Sequence, residues 1–249
     1  ILRGGILKKG KMIISGLIIT MILAFSLGNF GEKSASAKAV SSYIVIEQSA
    51  CKVIKGVNIH SRLPMASTTK IMTAYTVIKN EKNLDRIVCV PKEAVGIEGS
   101  SIYLKEGEEL TIRELLYGLM LRSGNDSAVA LAIATKGSVE NFVKQMNEKA
   151  TALGCKNTKF YNANGLTSNM AQNNVTTAYD YALIMKYAME NAYFKQIIKQ
   201  TTYTIPETNK SAAREISTSY NLLKKNGFYE YSTGGAVGYS KASGYTAVS

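Results

Sequence analysis

Pro64-Met65-Ala66-Ser67-Thr68-Thr69-Lys70-Ile71-Met72-Thr73-Ala74 is the stretch on which the reading of this chain turns. Ile71, Ala74, Tyr75 and Ile78 fall at i, i+3, i+4 and i+7, the apolar stripe of an amphipathic helix. On such a helix Ser67 and Lys70 project from one side, so that Nζ reaches Oγ. Positions 67, 70, 71, 74 and 78 share one angular sector, which predicts a lysine partly withdrawn from water. Desolvation disfavours the ammonium form and lowers its pKa. An uncharged amine beside a hydroxyl is what an activated serine nucleophile needs where no histidine is at hand. The helix start also sets the Ser67 N–H and the helix dipole where a developing oxyanion is favoured. Ser49-Ala50-Cys51-Lys52 has the same spacing but sits in a predicted hairpin, where the two side chains share no helical face.

Upstream, Ser42–Glu47 and Lys52–Gly56 read as strands joined by the polar turn Gln48-Ser49-Ala50. Downstream the chain turns helical. Thr111-x-x-Glu114 is a capping box opening a helix with Ile112, Leu115, Leu116 and Leu119 on one face. Ser123-Gly124-Asn125-Asp126 breaks that helix, and Ala128–Ala134 reads as the next. Ser138 opens a third, ending near Gly154, and Thr177-x-x-Asp180 a fourth, running to about Glu190. Thr201–Ile205 is a short strand stopped by Pro206, and the Gly- and Tyr-rich segment from Gly235 to Ser249 returns to a strand pattern. Strands, helices and strands again predict a mixed α/β (α+β) fold, its sheet drawn from both ends of the chain with a helical subdomain inserted. Ser123-Gly124-Asn125 supports two readings. In one, Gly124 ends a helix and Asn125 or Asp126 caps the next. In the other, Ser123 relays protons beside Lys70 and the Asn125 amide holds a substrate backbone.

The 249 residues are 46% hydrophobic and 19% charged, a balance that suits one globular domain and excludes disorder and coiled coil. Cys51, Cys89 and Cys155 lie far apart with no CxxC, which speaks against a Cys-based metal site. His60 is the single histidine, so a zinc site built on several imidazoles is excluded, and a Ser-His-Asp triad would have to use it. No cofactor is called for. The net charge is +12, but Arg3, Lys8, Lys9, Lys11, Lys33 and Lys38 against Glu32 put much of it in the first 39 residues. No Lys/Arg run interleaved with aromatics follows, so nucleic acid is not an expected partner. The remaining basic surface reads as solvated, or as attracted to anionic wall polymers.

Those first 39 residues have their own logic. Lys8-Lys9-Gly10-Lys11 precedes an apolar run from Met12 to Leu27. The small-residue stretch Ser34–Ala39 follows, with Ala35-Ser36-Ala37 or Ala37-Lys38-Ala39 as cleavage sites. This is the layout of a signal peptide; the rival reading is an uncleaved anchor. Either one places residues 40–249 outside the cytoplasmic membrane and close to it.

The three-element signature S-x-x-K, S-D-N and K-T-G marks penicillin-binding proteins and class A β-lactamases, and this chain resembles the low-molecular-mass D-alanyl-D-alanine carboxypeptidases. The matching stretches are Pro64–Ala74, Glu98–Leu104, Leu119–Ala128, Met146–Ala150, Asn162-Ala163-Asn164-Gly165-Leu166 and Thr176–Asp180, in family order. The resemblance implies a β-lactamase/transpeptidase-like fold: an antiparallel sheet flanked by helices plus a helical subdomain. It implies that Ser67 attacks the bond between two terminal D-alanines of a peptidoglycan pentapeptide, with Lys70 as base and Ser123 as relay. Asn125, Gly238 and Tyr239 then bind substrate, the Tyr239 N–H as second oxyanion donor, and β-lactams trap the serine covalently.

The third family element departs from its pattern. Gly235-Ala236-Val237-Gly238-Tyr239-Ser240, placed by the following Gly244-Tyr245-Thr246, has Ala236 and Val237 where the family has Lys and Thr. In the family that lysine helps keep the catalytic lysine neutral and grips the substrate carboxylate, so weakened activity is expected. Lys241 lies five residues on, roughly 16 Å along a strand and on the other face. The family fold continues into further strands and a final helix, so a C-terminally truncated domain is expected. Two rivals stand beside the carboxypeptidase: a pseudoenzyme that binds stem peptide, favoured by Ala236 and Val237, and a class A β-lactamase, opposed by the lack of Glu-x-x-Leu-Asn after Asn125.

Overall fold

The periodicity around Ile71 becomes α1 (Lys70–Asn80) in the computed structural model, which describes residues 41–167, 170–223 and 230–249. The leader read at residues 1–39 lies outside the described residues. Helix α1 departs from the expected one-sided stripe: every residue from Lys70 to Ile78 is buried. The reason is its place in the fold. Helices α2 (Ile112–Leu121), α3 (Asn125–Lys136), α4 (Val139–Ala152), α5 (Ala178–Met189) and α6 (Ala192–Ile198) all pack against it. Ile71, Met72, Ala74 and Val77 therefore meet Leu115, Leu116, Leu131, Phe142 and Ile184 in one continuous core.

Helix starts follow their side-chain signals. The Thr111 Oγ1 accepts the Glu114 N–H at 3.1 Å while Glu114 Oε2 accepts the Thr111 N–H at 2.7 Å, a complete capping box. Ser138 caps α4 through the Asn141 N–H, and Thr177 caps α5 through the Asp180 N–H. The Asp180 carboxylate turns away to the Asn157 N–H and the Thr158 hydroxyl, tying the loop after α4 to α5. The break between α2 and α3 differs from expectation. Ser123, not Gly124, takes the left-handed conformation (φ 58°), and Gly124 itself is the N-cap of α3 with φ −61°. Gly124 is needed for space, since a Cβ there would lie 2.8 Å from Ser127 Oγ and 3.2 Å from the Gly118 carbonyl oxygen.

Every strand pair is antiparallel, and among the described residues the strands pair two by two. β1 (Tyr43–Glu47) with β2 (Lys52–Val57) forms the expected N-terminal hairpin. β3 (Leu63–Pro64) pairs with β6 (Val175–Thr176), β4 (Ile87–Cys89) with β5 (Glu109–Thr111), and β7 (Thr202–Ile205) with β8 (Arg214–Ser217). β9 (Ala236–Ser240) with β10 (Gly244–Val248) closes the chain as a second hairpin. The β3–β6 pair matters most for the site, because it brings Asn174 beside the turn that begins α1. No helix among the described residues is long and apolar enough to cross a membrane.

One ion pair fastens the β7–β8 hairpin to the helical part. Glu108, fully buried, accepts Arg214 Nη2 at 2.6 Å, the Thr208 hydroxyl at 2.9 Å and the Lys105 N–H at 3.0 Å. Removing one partner of such a pair strands the other charge in the interior. Glu108→Ala is therefore expected to destabilise the fold by about 3 kcal/mol and lower Tm by about 6–12 °C. Thermal unfolding followed by circular dichroism checks this, and a Tm within about 2 °C of wild type contradicts it.

Candidate active site

The turn before α1 is a 3-10 segment, Ala66–Thr69. Ala66 enters it at φ 46°, a left-handed setting that costs an L-residue about 1–2 kcal/mol. Hydrogen bonds hold the strain in place. The Thr68 hydroxyl donates to the Met65 carbonyl, as does the Thr246 hydroxyl of β10 at 3.1 Å, and the buried Tyr181 hydroxyl of α5 donates to the Thr68 carbonyl. The turn lifts Ser67 to a half-buried position while Thr68, Thr69 and Lys70 are buried.

Lys70 is 2% exposed. Its Nζ lies 3.1 Å from Ser67 Oγ and donates to the Asn164 carbonyl at 2.7 Å. Burial pushes its pKa from 10.5 down to about 7, and the negative charge of Asp126 pulls it part of the way back. Asp126 is itself engaged: it accepts from the Ser101 hydroxyl (2.6 Å) and from the N–H groups of Ile102 (3.0 Å), Leu104 (3.2 Å) and Ser127 (2.8 Å). Near neutral pH a large share of Lys70 is thus an uncharged amine in contact with a hydroxyl, a pair able to ionise the serine as it attacks.

Two glycines flank the Ser67 backbone nitrogen. A Cβ on Gly238 of β9 would lie 2.8 Å from that nitrogen and 2.8 Å from Thr246 Oγ1. A Cβ on Gly165 would lie 3.0 Å from it and 2.0 Å from the Ala66 carbonyl oxygen. As the opening of a helix, Ser67 has no carbonyl one turn back to receive its N–H. The donor stands in a slot only glycines permit, with β9 along one side.

The sequence-predicted residues meet unequally. Ser67, Lys70 and Gly238 converge. Ser123 sits half-buried at the left-handed turn between α2 and α3, and no hydrogen bond joins its hydroxyl to Lys70 or Ser67. Asn125 is 3% exposed; its Nδ2 donates to the Glu98 carbonyl at 2.7 Å, its backbone N–H to the Ser100 carbonyl, and its Oδ1 is buried without a partner. Tyr239 is largely exposed with its ring against Tyr245, centroids 4.8 Å apart. Ala236 is half-buried against the core and Val237 faces outward, so β9 presents no cation from these positions. His60 packs its ring on Tyr179. Cys51, Cys89 and Cys155 are all free thiols, and among the described residues no cluster of His, Cys, Asp and Glu is able to hold a metal. Asn164, whose main-chain carbonyl contacts Lys70, belongs to a stretch that sequence reasoning singled out without giving it a role, because a backbone carbonyl leaves no residue signature.

The D-alanyl-D-alanine carboxypeptidase pattern, peptidase family S11, matches residues 30–249. The chain is 38% identical over 186 residues to the D-alanyl-D-alanine carboxypeptidase DacF of Bacillus subtilis, a match covering 71% of this chain and 47% of that protein. It is 31% identical over 243 residues to the D-alanyl-D-alanine carboxypeptidase of Streptomyces sp. strain K15, covering 91% of this chain and 81% of that one. It thus spans about half the length of the Bacillus relative and of the Escherichia coli relative DacC. Among solved structures, a D-alanyl-D-alanine carboxypeptidase from Mycobacterium tuberculosis superposes with TM-score 0.76 at 29% identity, over 85% of this chain and 80% of that one. A variant of the Streptomyces K15 DD-transpeptidase gives 0.75 at 31%, over 83% of each chain. A serine and a buried lysine on one helical turn, in a fold shared across these relatives, carry the conclusion with the sequence match: this chain belongs to the D-alanyl-D-alanine carboxypeptidase family of serine peptidases, S11.

Proposed function

We propose that this chain is a serine D-alanyl-D-alanine carboxypeptidase that removes the terminal D-alanine of peptidoglycan stem peptides through an acyl-enzyme on Ser67. The observation that carries the reading is the Lys70 amine, 3.1 Å from Ser67 Oγ and held near a pKa of about 7 by burial. In the first half-reaction Oγ attacks the carbonyl between the two D-alanines while its proton passes to Nζ. The carbonyl oxygen, now negative, takes the Ser67 N–H and the Tyr239 N–H beside Gly238. Collapse breaks the C–N bond, and the proton on Lys70 reaches the departing amine through the Ser123 hydroxyl. Water then hydrolyses the ester and restores Ser67. The buried, unpartnered Asn125 Oδ1 supports a role as acceptor for a substrate backbone N–H.

A β-lactam presents the same carbonyl to the same serine, so penicillin is expected to acylate this chain and remain bound. The contact that the 162–166 loop makes with Lys70 is a main-chain carbonyl rather than a carboxylate, which favours slow deacylation and disfavours a β-lactamase reading. The basic, apolar and small-residue segments of residues 1–39 support export, with action at the outer face of the cytoplasmic membrane.

Fluorescent penicillin is expected to label wild type and fail on Ser67→Ala, read by gel; equal labelling of both removes the acyl-enzyme reading. Acylation requires the uncharged amine, so its rate rises with pH, half-maximal near the Lys70 value of about 7, and levels off above it. Stopped-flow acylation across pH 5–9 checks the sign, and a rate that falls as pH rises contradicts it. Ala236 and Val237 offer a substrate carboxylate neither cation nor hydroxyl. The double substitution Ala236→Lys, Val237→Thr is expected to raise D-alanine release from a pentapeptide by about 10²-fold. A gain under about two-fold would show that these positions do not limit the reaction.

A further inference from the structure

Lys70 has two neighbours at its amine, and only one of them is the nucleophile. The other, the Asn164 carbonyl, belongs to a loop built almost entirely from asparagine hydrogen bonds. Asn174, 4% exposed on the chain just before β6, is its hub. The Asn174 Oδ1 accepts the N–H groups of Tyr161 (2.7 Å) and Asn162 (3.2 Å). Its Nδ2 donates to the Asn162 carbonyl (3.0 Å) and, across to the nucleophile turn, to Thr69 Oγ1 (3.0 Å). The Asn174 backbone carbonyl accepts the Met65 N–H at 3.2 Å. Within the loop, Asn162 Oδ1 accepts the Gly165 N–H (2.7 Å) and Asn162 Nδ2 donates to the Leu166 carbonyl (2.8 Å).

The loop docks on α1 through successive carbonyls. The Thr73 hydroxyl, one turn after Lys70, donates to the Ala163 carbonyl at 2.6 Å, and Lys70 donates to the next carbonyl, Asn164. Gly165 follows at φ 86° and lets the main chain lie directly on the Ala66 carbonyl. A neutral amine has two N–H groups and one lone pair. Committing one N–H to Asn164 rules out the staggered setting about Cε–Nζ that would turn the lone pair onto that carbonyl, and one of the two settings left turns it toward Ser67.

We propose that the Tyr161–Leu166 loop, pinned by Asn174 and Thr73, is the device that positions the Lys70 amine as a base, with Asn174 and Thr73 as positioning residues that act through the Asn164 carbonyl. This rests on the acyl-enzyme reading for its consequence in rate, though not for its geometry. A loop kept only to complete the fold has no need to end on Nζ. The charge that faces Lys70 is Asp126 of α3, and the nearby titratable hydroxyl is Tyr181 of α5 at the Thr68 carbonyl; both are retained in the tests below.

The experiment compares wild type with Asn174→Ala and with Thr73→Val, the second keeping the side-chain shape should the first fold poorly. Fluorescent penicillin gives two quantities, the fraction of sites labelled and the acylation rate per labelled site. A purely structural loss lowers the fraction and leaves the rate of the remaining sites alone. The expected result is a rate per labelled site reduced about ten-fold or more at pH 9, where the amine is uncharged. Titration of the Lys70 Cε signal by NMR is expected to show a lowered midpoint, because the ammonium has lost an acceptor that favours it. A per-site rate within about two-fold of wild type, with an unmoved or raised midpoint, overturns the proposal whatever the labelled fraction. Should wild type take no label at Ser67, the acyl-enzyme reading fails, and the midpoint alone then decides whether the loop holds the amine.

Discussion

An amine placed where water does not reach it is the constraint around which this molecule is arranged. Lys70 is among the largest of the fully buried side chains, and a lysine there forfeits the hydration of its charge. It does so at the centre of the helical part, on a helix that five others enclose. The enclosure explains why α1 has no solvent face from Lys70 to Ile78 and why Thr73 and Thr76 are fully buried beside aliphatic residues. The opposing charge of Asp126 does not restore the ordinary ammonium, because the loss of hydration on burial outweighs its attraction. The Asp126 carboxylate meanwhile holds the Ser101–Leu104 segment through the Ser101 hydroxyl and the Ile102 and Leu104 N–H groups.

Much of this was legible in the residues. The hairpin at Tyr43–Val57, the Thr111 capping box and the helices that follow Ser138 and Thr177 are local events, each set by neighbours a few positions away. The Ser67–Lys70 contact was legible for the same reason, since one helical turn fixes it. The short strands β4, β5 and β8, of three or four residues, and the seven-residue α6 were not, because elements this short carry too little periodicity to announce a partner far along the chain. Ser123 shows a subtler failure. Glycine is the expected left-handed residue at a helix end, yet Gly124 is reserved for close packing against Ser127 and Gly118, so the serine before it takes the strained setting. The Asn164 carbonyl lay beyond any reading of side chains.

The expected single sheet takes the form of separate antiparallel pairs among the described residues, and the two terminal hairpins differ in what they do. β1–β2 leans on α5, with much of β2 exposed. β9–β10 is bound to the turn that carries Ser67 through the Thr246 hydroxyl and the close approach at Gly238. The β9–β10 hairpin is thus a wall of the candidate site. Ala236 and Val237 alter the character of that wall without moving it, since the register with β10 runs unbroken from Ala236 to Ser240.

Gly165 and Gly238, on either side of the Ser67 nitrogen, carry an evolutionary consequence. A donor that belongs to the main chain is not removed by changing its own side chain, and the slot around it is guarded by two codons at which any added carbon strikes backbone or threonine. Drift is then channelled to neighbouring positions that line the cleft without forming the slot. A lineage is free to exchange residues at 236 and 237, and with them the surface that β9 presents, while the setting of the Ser67 nitrogen passes unchanged to its descendants.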